Sequence, residues 1–201
     1  MADEARDLNV RIAARVRELR SARDLSLDAL ATRSGVSRSM ISLVERGESS
    51  PTAVLLGKLA SALDVTLASL FDAPPSAEPR ASPLARRKDQ PQWRDPGSGY
   101  LRRNVSPPGA PQPMRIVDVR FPAGARVAFD NAARDATEKP VHQQVWVLQG
   151  SMDVTVGGER HRLRAGDCLA MRLDRPTVFH NPTRKAARYA VVIETETRRS
   201  R

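Results

Sequence analysis

The segment that most constrains the fold is residues 26–51, which has the pattern of two short helices separated by a glycine turn. Ser26 can cap the first helix, because its side-chain oxygen can accept a hydrogen bond from an N–H of the first turn. Gly35 ends that helix, since the turn needs a positive φ that glycine adopts without steric penalty. Ser37 then caps a second helix. Such a pair predicts a helix-turn-helix, whose second helix fits the major groove of DNA.

The faces of the second helix predict which side chains meet DNA. Ile41 and Val44 are three residues apart and therefore share the inward face. We expect Arg38 to form a bidentate hydrogen bond with guanine, and Ser39 and Ser42 to reach a base edge or a phosphate. The predicted DNA-binding residues are the two caps and the outward positions: Ser26, Ser37, Arg38, Ser39, Ser42 and Arg46.

The stretch LDALATRSGVSRSMISLVERGESSPTAVLLGKLASAL resembles the phage-repressor (XRE-type) helix-turn-helix family, because capping, turn and core positions match together. The resemblance implies a five-helix DNA-binding domain over residues 1–72. It also implies an ion pair of structural role between Glu45 and Arg20. Where the family often has glutamine, this chain has Leu27, so we expect affinity to depend more on backbone amides at the helix start.

The other helices of this first domain follow from apolar spacing and capping. Residues 8–23 carry an apolar stripe at helical spacing. Ser50 followed by Pro51 reads as a cap with proline at the first helical position, which predicts a helix through Leu63. Thr66 begins one further helical turn.

The middle of the chain predicts a linker. Residues 72–98 have no sustained periodicity, and their prolines exclude a regular helix or central strand, so we expect an extended linker over 73–99. The basic run 86–88 is interpreted as solvated rather than bound to DNA. Trp93 is expected to pack on one of the domains. A long flexible linker transmits little torque, so an effector would act through dimer geometry or linker ordering.

From Tyr100 the apolar residues alternate with a period of two, which indicates short antiparallel strands. Glycines stand at the turns between them. This spacing predicts a β-sandwich or barrel. The predicted strands are 114–121, 125–130, 143–149, 151–157, 159–164, 167–173, 177–181 and 188–194.

The stretch VWVLQGSMDVTVGGERHRLRAGDCLAMRLDRPTVFHNP resembles the cupin family, through Gly150, the turn Gly166-Asp167, Pro176 and the ending Asn181-Pro182. The resemblance implies an antiparallel jelly-roll (cupin) β-barrel over 100–197. The fold class is then α + β with two domains: a five-helix bundle, a proline-rich linker and the barrel. A helix-turn-helix followed by a cupin implies a bacterial regulator.

Catalytic cupins hold a metal ion with histidines and a glutamate on neighbouring strands. The aligned positions here are Thr137, Lys139, Gln143 and Thr177. None is a good ligand, and Lys139 would place a positive charge at the cation position. His142 and His180 are offset by one residue, which on a strand turns the side chain to the opposite face, and His161 lies in an arginine-rich strand. We therefore predict no metal site, no cofactor and no catalytic residue.

A barrel without a metal still has an interior that can hold a small molecule. Alternation with the family places six residues inward as an effector pocket: Gln143, Val145, Val147, Met171, Thr177 and Phe179. A barrel filled by its own side chains is the alternative. Cys168 is expected to be a small core residue rather than a nucleophile.

Charge and cysteine usage bear on partners. The formal net charge of +10 over 201 residues suggests a polyanionic partner. Basic and acidic residues nearly balance over 1–71, so the motif rather than the charge predicts binding to double-stranded DNA. A single module reads too few base pairs, which predicts a homodimer on a near-palindromic operator. One cysteine, no bilayer-length apolar run and no signal sequence predict a cytoplasmic protein with no membrane partner.

These features together predict a sequence-specific transcriptional regulator that is not an enzyme. Its metal-free cupin domain would bind a small-molecule effector, dimerise, or both. One alternative is a metal-dependent cupin oxygenase or isomerase with a DNA-binding tail, which stoichiometric metal in the purified protein would support. Another is an autoregulating, antitoxin-like adaptor, which a co-purifying partner would support.

Overall fold

The structure, a computed structural model, describes residues 2–71, 82–108, 113–131 and 141–194, with side chains from Leu8 onward. The helices of its first domain are α1 Ala2–Ser21, α2 Leu27–Ser34, α3 Arg38–Glu45 and α4 Ala53–Ala62, followed by the 3-10 helix Leu67–Phe71. The prediction of five α-helices is therefore wrong by one. The last segment has only five residues, and its Ser69 N–H donates to Thr66 O at 2.9 Å, the i→i+3 bond of a 3-10 turn.

The two helices of the turn motif begin and end as their residues predict. Ser26 Oγ accepts from Ala29 N at 3.0 Å, and Ser37 Oγ accepts from Met40 N at 3.3 Å. Gly35 has a φ of 63°, in the left-handed region that terminates α2. The capping and turn predictions are confirmed.

The start of α4 differs from the prediction. Thr52, not Ser50, is the capping residue, and its Oγ1 accepts from Leu55 N at 3.3 Å. Pro51 lies before the cap rather than in the first turn. A second acceptor reaches the same helix start from far along the chain, since Asp95 Oδ1 accepts from Ala53 N at 2.8 Å.

The core of the helical domain is built from the predicted stripe of α1. Its members are Leu8, Ile12, Val16 and Leu19, all buried. They pack with Leu30, Ile41, Val44, Leu56 and Leu59 of the other helices. Burying a side chain of this size stabilises the fold by about 1.5–3 kcal/mol, so this core holds the short helices together.

The second domain contains the eight predicted strands with ends shifted by at most two residues, and two short strands that the sequence did not predict. The strands are β1 Gln92–Arg94, β2 Leu101–Asn104, β3 Met114–Phe121, β4 Arg126–Phe129, β5 His142–Gln149, β6 Ser151–Val156, β7 Glu159–Arg164, β8 Cys168–Arg172, β9 Thr177–His180 and β10 Ala187–Glu194.

The strands form two antiparallel sheets. One has six strands in the order β1-β2-β3-β10-β5-β8, and the other has four in the order β4-β9-β6-β7. Within the described ranges no strand of one sheet pairs with a strand of the other, so the closed barrel of the prediction is not formed. The domain is a sheet-rich cupin domain of two sheets, whose inward alternating residues share one interior.

The prediction of an extended linker over residues 73–99 is wrong in its last third. Gln92–Arg94 pairs with Leu101–Asn104 and adds an edge strand to the six-stranded sheet, where the preceding proline costs no ladder hydrogen bond. Trp93 is 5% exposed and packs edge-on, with ring centroids 5.5 Å from Phe71 and 5.8 Å from Tyr100. The prediction that Trp93 packs on a domain is confirmed, and its ring contacts both domains rather than one.

The two domains are in direct contact. Helix α1 packs against β1 and α4 against β4, and buried residues of both domains form one continuous hydrophobic cluster. At Gly57 of α4 the approach is close, since a Cβ atom added there would lie 2.8 Å from Phe129 Cδ1. The two domains are therefore connected by packed side chains as well as by the linker, a contact that the sequence did not predict.

Candidate nucleic-acid interface and effector cavity

The outward face of α3 is accessible. Arg38 and Ser39 are exposed at its first turn, and the Arg38 side chain is 65% exposed, whereas Ile41 and Val44 are buried. Ser42 is partly exposed one turn further along. The helix therefore has the orientation that its apolar spacing predicts, with polar side chains free to enter a groove.

Arg38 is held loosely. Its Nε lies 3.3 Å from Asp28 Oδ1, and both side chains are largely exposed. An exposed ion pair of this kind contributes about 0–1 kcal/mol, so a guanine edge can replace the carboxylate at small cost. The hydroxyls of Ser37 and Ser39 lie 3.2 Å apart beside it.

Arg46, just after α3, is held by a neighbouring carboxylate. Its Nε and Nη2 each donate to Glu48 at 2.8 Å, and its Nη1 also donates to Ser42 Oγ. The hydrogen bond with Glu48 raises the pKa of Arg46 and lowers the pKa of Glu48. The positive charge of Arg46, which is predicted to contact DNA, is thus partly neutralised by Glu48.

The ion pair implied by the repressor resemblance is confirmed. Arg20 Nε donates to Glu45 Oε1 at 2.7 Å and Arg20 Nη2 donates to Glu45 Oε2 at 2.8 Å, while Nη1 donates to Leu25 O at 2.8 Å. The hydrogen bond with Glu45 raises the pKa of Arg20 against the opposing effect of burial. The pair connects the last residue of α3 to α1, and thereby helps to fix the orientation of α3 relative to α1.

A cavity of about 80 Å³ lies between the two sheets and the helical domain. Its cupin walls include Phe129, Phe179, Tyr189 and Val191, and Gly57, Ser61 and Leu67 close it from the helical side. We call the segment of α4 and the 3-10 helix that closes it, residues 57–68, the roof.

The six predicted pocket residues are all buried. Gln143, Thr177 and Phe179 line the cavity, whereas Val145, Val147 and Met171 are core residues outside its lining. The structure therefore confirms that these six side chains point inward. Three of them pack in the core and do not line the cavity. The roof was not predicted, because no pattern in the sequence places residues 57–68 over a sheet that starts thirty residues later.

Few polar groups reach the cavity. Asn131 Nδ2 donates to Thr177 Oγ1 at 3.1 Å, and Gln143 Nε2 lies 4.0 Å from Met171 Sδ. Burial raises the pKa of both Tyr100 and Tyr189 far above the ordinary value, so these phenols stay neutral. Among the described residues of the lining, Arg102 is the one with a charged side chain, and its guanidinium carbon lies 4.8 Å from the Phe71 ring centroid.

His142 and His161 lie on different strands, β5 and β7. His142 is exposed on β5, and His161 Nε2 lies 3.7 Å from Glu159 Oε1. In the part of the chain that the structure describes, no three His, Cys, Asp or Glu residues come together as a metal site would require. Thr137 and Lys139 lie outside the described residues.

Cys168 is exposed, so the prediction of a core residue is wrong. The alternation along β8 turns it to the outer face of the sheet, where its Sγ lies 3.9 Å from Gln144 Oε1. Across the described ranges, no helix has the length and apolarity that crossing a membrane requires.

The fold and its exposed helix define a protein with an N-terminal helix-turn-helix domain and a C-terminal cupin domain. Comparison with family models agrees domain by domain. A helix-turn-helix model matches residues 16–70, and a cupin-domain model matches residues 119–193.

Known proteins align with most of the chain. The HTH-type transcriptional regulator SutR of Escherichia coli (strain K12) is 28% identical over 176 residues, which cover 83% of this chain and 84% of that protein. A crystal structure of an HTH_3 family transcriptional regulator from Vibrio cholerae is 25% identical, with a TM-score of 0.71, and covers 96% of this chain and 99% of that one. Hydroxypropylphosphonic acid epoxidase from S. wedmorenis overlaps at a TM-score of 0.46 with 14% identity, over 94% of this chain and 98% of the enzyme.

The chain is accordingly a DNA-binding transcriptional regulator that joins an XRE-type helix-turn-helix domain to a cupin domain.

Proposed function

We propose that this regulator binds a near-palindromic operator as a homodimer, with α3 of each protomer in the major groove, and that its cupin domain binds a small-molecule effector without catalysing a reaction. The observation that supports the DNA-binding mode best is the first turn of α3. Arg38 and Ser39 project there into solvent, while the inward positions are fixed in the core.

Each side chain of this surface has a distinct role in the proposal. Arg38 donates both hydrogen bonds of its planar fork to guanine O6 and N7. Ser39 and Ser42 contact a base edge or a phosphate. Ser26 and Ser37 cap the two helix starts, so that the adjacent backbone N–H groups can bind phosphate oxygens. Arg46, the last of the six predicted DNA-binding residues, binds a phosphate in place of Glu48.

The outer face of the six-stranded sheet supports the proposed dimer. Met114, Ile116 and Trp146 are 55%, 44% and 50% exposed there, and the partly buried Ala190 and Val192 lie on the strand between them. Apolar side chains exposed together on neighbouring strands of one sheet face are typical of a protein interface. A second copy is the occupant that the DNA-binding mode requires, because two half-sites need two recognition helices.

The operator proposal is tested by selecting bound DNA from a random pool with the full chain, with Arg38→Ala, and with Arg162→Ala as a control on an exposed strand of the cupin domain. We expect an inverted repeat for the full chain. Arg38→Ala should lose about 1–3 kcal/mol of affinity and its preference at one base pair of each half-site. Unchanged affinity and preference for Arg38→Ala would contradict the assigned face of α3.

The dimer proposal is tested by sedimentation of Trp146→Ser against Val54→Ser, an exposed apolar residue of the helical domain. The first substitution should shift the protein towards monomer, and the second should leave its mass unchanged. A Trp146→Ser protein that remains as dimeric as the full chain would place the interface elsewhere.

A further inference from the structure

A second concave site lies on the outer face of the six-stranded sheet, beside β1 and the short 3-10 helix Arg87–Asp89. Its volume is about 640 Å³, within the range of about 300–1,000 Å³ that is usual for ligand pockets. It shares no lining residue with the cavity between the two domains. We call it the basic cleft, because five of its nine lining residues are cations: Arg87, Lys88, Arg103, Arg120 and Arg188.

The register of the sheet places cations of the basic cleft against one another. Arg120 of β3 lies directly opposite Arg188 of β10, and Arg103 of β2 lies opposite Asp118. Neighbouring strands are about 4.8 Å apart, and like charges that face each other across a strand pair are destabilising. An anion bound between these side chains would remove the repulsion.

Asp118, the carboxylate of the described lining, neutralises only part of this charge. It is buried and accepts hydrogen bonds from Arg103 Nη2 and, at 2.8 Å, from Arg188 Nε. In the described ranges, no carboxylate forms an ion pair with Arg87, Lys88 or Arg120.

The wall of the basic cleft is also short of hydrogen-bond acceptors. Arg103 Nε is buried and has no hydrogen-bond partner among the residues that the structure describes. Arg188 is 44% exposed and has N–H groups beyond the two that it donates to Asp118. An occupant that suits this wall therefore brings both negative charge and acceptor oxygens.

A phosphate group meets both requirements better than a single carboxylate does. A phosphate monoester carries a charge of about −1.5 to −2 at pH 7 and three strong acceptor oxygens, and the arginine fork binds phosphate with two parallel hydrogen bonds. Leu101 is the one apolar residue in the described lining, which contains no aromatic ring on which a base could stack. Because the cations line one concave site, the geometry favours a small polar phosphate compound over the backbone of a duplex.

We propose that the basic cleft binds a small polar compound with one or more phosphate groups. Arg120 and the two cations of the 3-10 helix contact the phosphate oxygens, and Asp118 holds its two arginine partners in place beside them. The inference goes beyond the proposed function, because this site lies outside the shared cavity and its occupation does not depend on how the chain binds DNA. Met114 and Ile116, which belong to the proposed dimer surface, lie at the other end of β3.

The ligand class is tested on the full chain by calorimetry, in a phosphate-free buffer at physiological salt, with pyrophosphate and with citrate. We expect pyrophosphate to bind at one site per chain and more tightly than citrate, whose charge resides on carboxylates. Absence of pyrophosphate binding, or tighter binding of citrate, would overturn the ligand class without the use of any variant.

The location of the site is tested with matched pairs of exposed cations. Arg120→Gln should weaken pyrophosphate binding by about tenfold or more, the loss expected for one charge-assisted hydrogen bond, whereas Arg162→Gln on the four-stranded sheet should leave it unchanged. Lys88→Gln should weaken binding severalfold, and Arg86→Gln, two residues earlier and outside the lining, should not. Equal affinities of the parent and Arg120→Gln would contradict the proposed site. Since Arg120 is exposed and faces Arg188, its substitution should leave the fold intact, which thermal unfolding checks.

The same variant distinguishes a small phosphate compound from the phosphates of DNA. We expect Arg120→Gln to leave both the affinity for duplex DNA and its salt dependence unchanged. A log–log salt slope shallower by about one would mean that the basic cleft contacts the DNA backbone, and would overturn the proposal. The proposed function fails through a different result, namely an unchanged operator preference in Arg38→Ala.

Discussion

Arg20 and Glu45 form a bidentate ion pair that joins α1 to the last residue of α3, with N–O distances of 2.7 and 2.8 Å. Both side chains are largely buried, at 16% and 8% exposure. Arg20 also donates from Nη1 to Leu25 O, so its guanidinium is held in place. The ion pair thereby connects the recognition helix to α1, a helix distant in sequence.

Glu45→Ala should lower the free energy of unfolding by about 3 kcal/mol, because it leaves a largely buried guanidinium without its carboxylate. The control is Glu18→Ala, which removes the exposed partner of Arg15 in an i,i+3 pair and should cost about 0.5 kcal/mol or less. Urea denaturation measures both. Equal losses for the two variants would mean that the buried pair has no special structural role.

Glu48→Gln should strengthen DNA binding a few-fold. The substitution removes a negative charge from the proposed interface and releases Arg46 to bind a phosphate. Titrations at several salt concentrations should then show a log–log slope steeper by about one. Glu159→Gln, which removes an exposed carboxylate of the cupin domain, should change neither value; a slope unaltered by Glu48→Gln would place Arg46 away from the DNA backbone.

Asp95→Ala should destabilise the protein by about 2 kcal/mol, because a buried carboxylate that accepts from Ala53 N, Ser98 N and Ser98 Oγ is lost and those donors are left without it. Asp89→Ala, at an exposed position in the same part of the chain, should stay within about 0.5 kcal/mol of the parent. Denaturation of the two variants in urea distinguishes them, and a mild Asp95→Ala would mean that Thr52 alone suffices to cap α4.

Asp118 should make stability depend on acid pH. Burial by itself would raise the pKa of Asp118, but hydrogen bonds from Arg188 and Arg103, with their charges, lower it below the ordinary value. A carboxyl whose folded pKa is lowered contributes its full stabilisation above the unfolded pKa of about 4, and loses it as the pH falls through the lower folded value.

Asp118→Asn should therefore be less stable than the parent by about 2 kcal/mol at neutral pH, somewhat below the range for fully buried pairs because Arg188 is partly exposed. The difference should shrink as the pH falls below about 4. Denaturation midpoints of both proteins across this range measure it. A difference that stays constant with pH would show that the loss comes from packing and not from the charge.

The sequence alone determined the local elements. Ser26, Gly35 and Ser37 mark the ends of the helix-turn-helix, because capping and positive φ depend on residues a few positions apart. The two-residue alternation determined the eight predicted strands of the cupin domain and the buried face that holds Gln143 and Phe179. These signals are short in range, and a single chain displays them without its folded neighbours.

The tertiary structure decided what depends on distant segments. Asp95 caps a helix that begins about forty residues earlier. Gln92–Arg94, in a proline-rich segment, forms an edge strand, and Cys168 faces outward on its sheet. The cavity is formed the same way, since residues 57–68 become its roof only when the two domains pack together. Contacts between segments so far apart leave no periodic trace in the chain, because packing in three dimensions and not local spacing selects them.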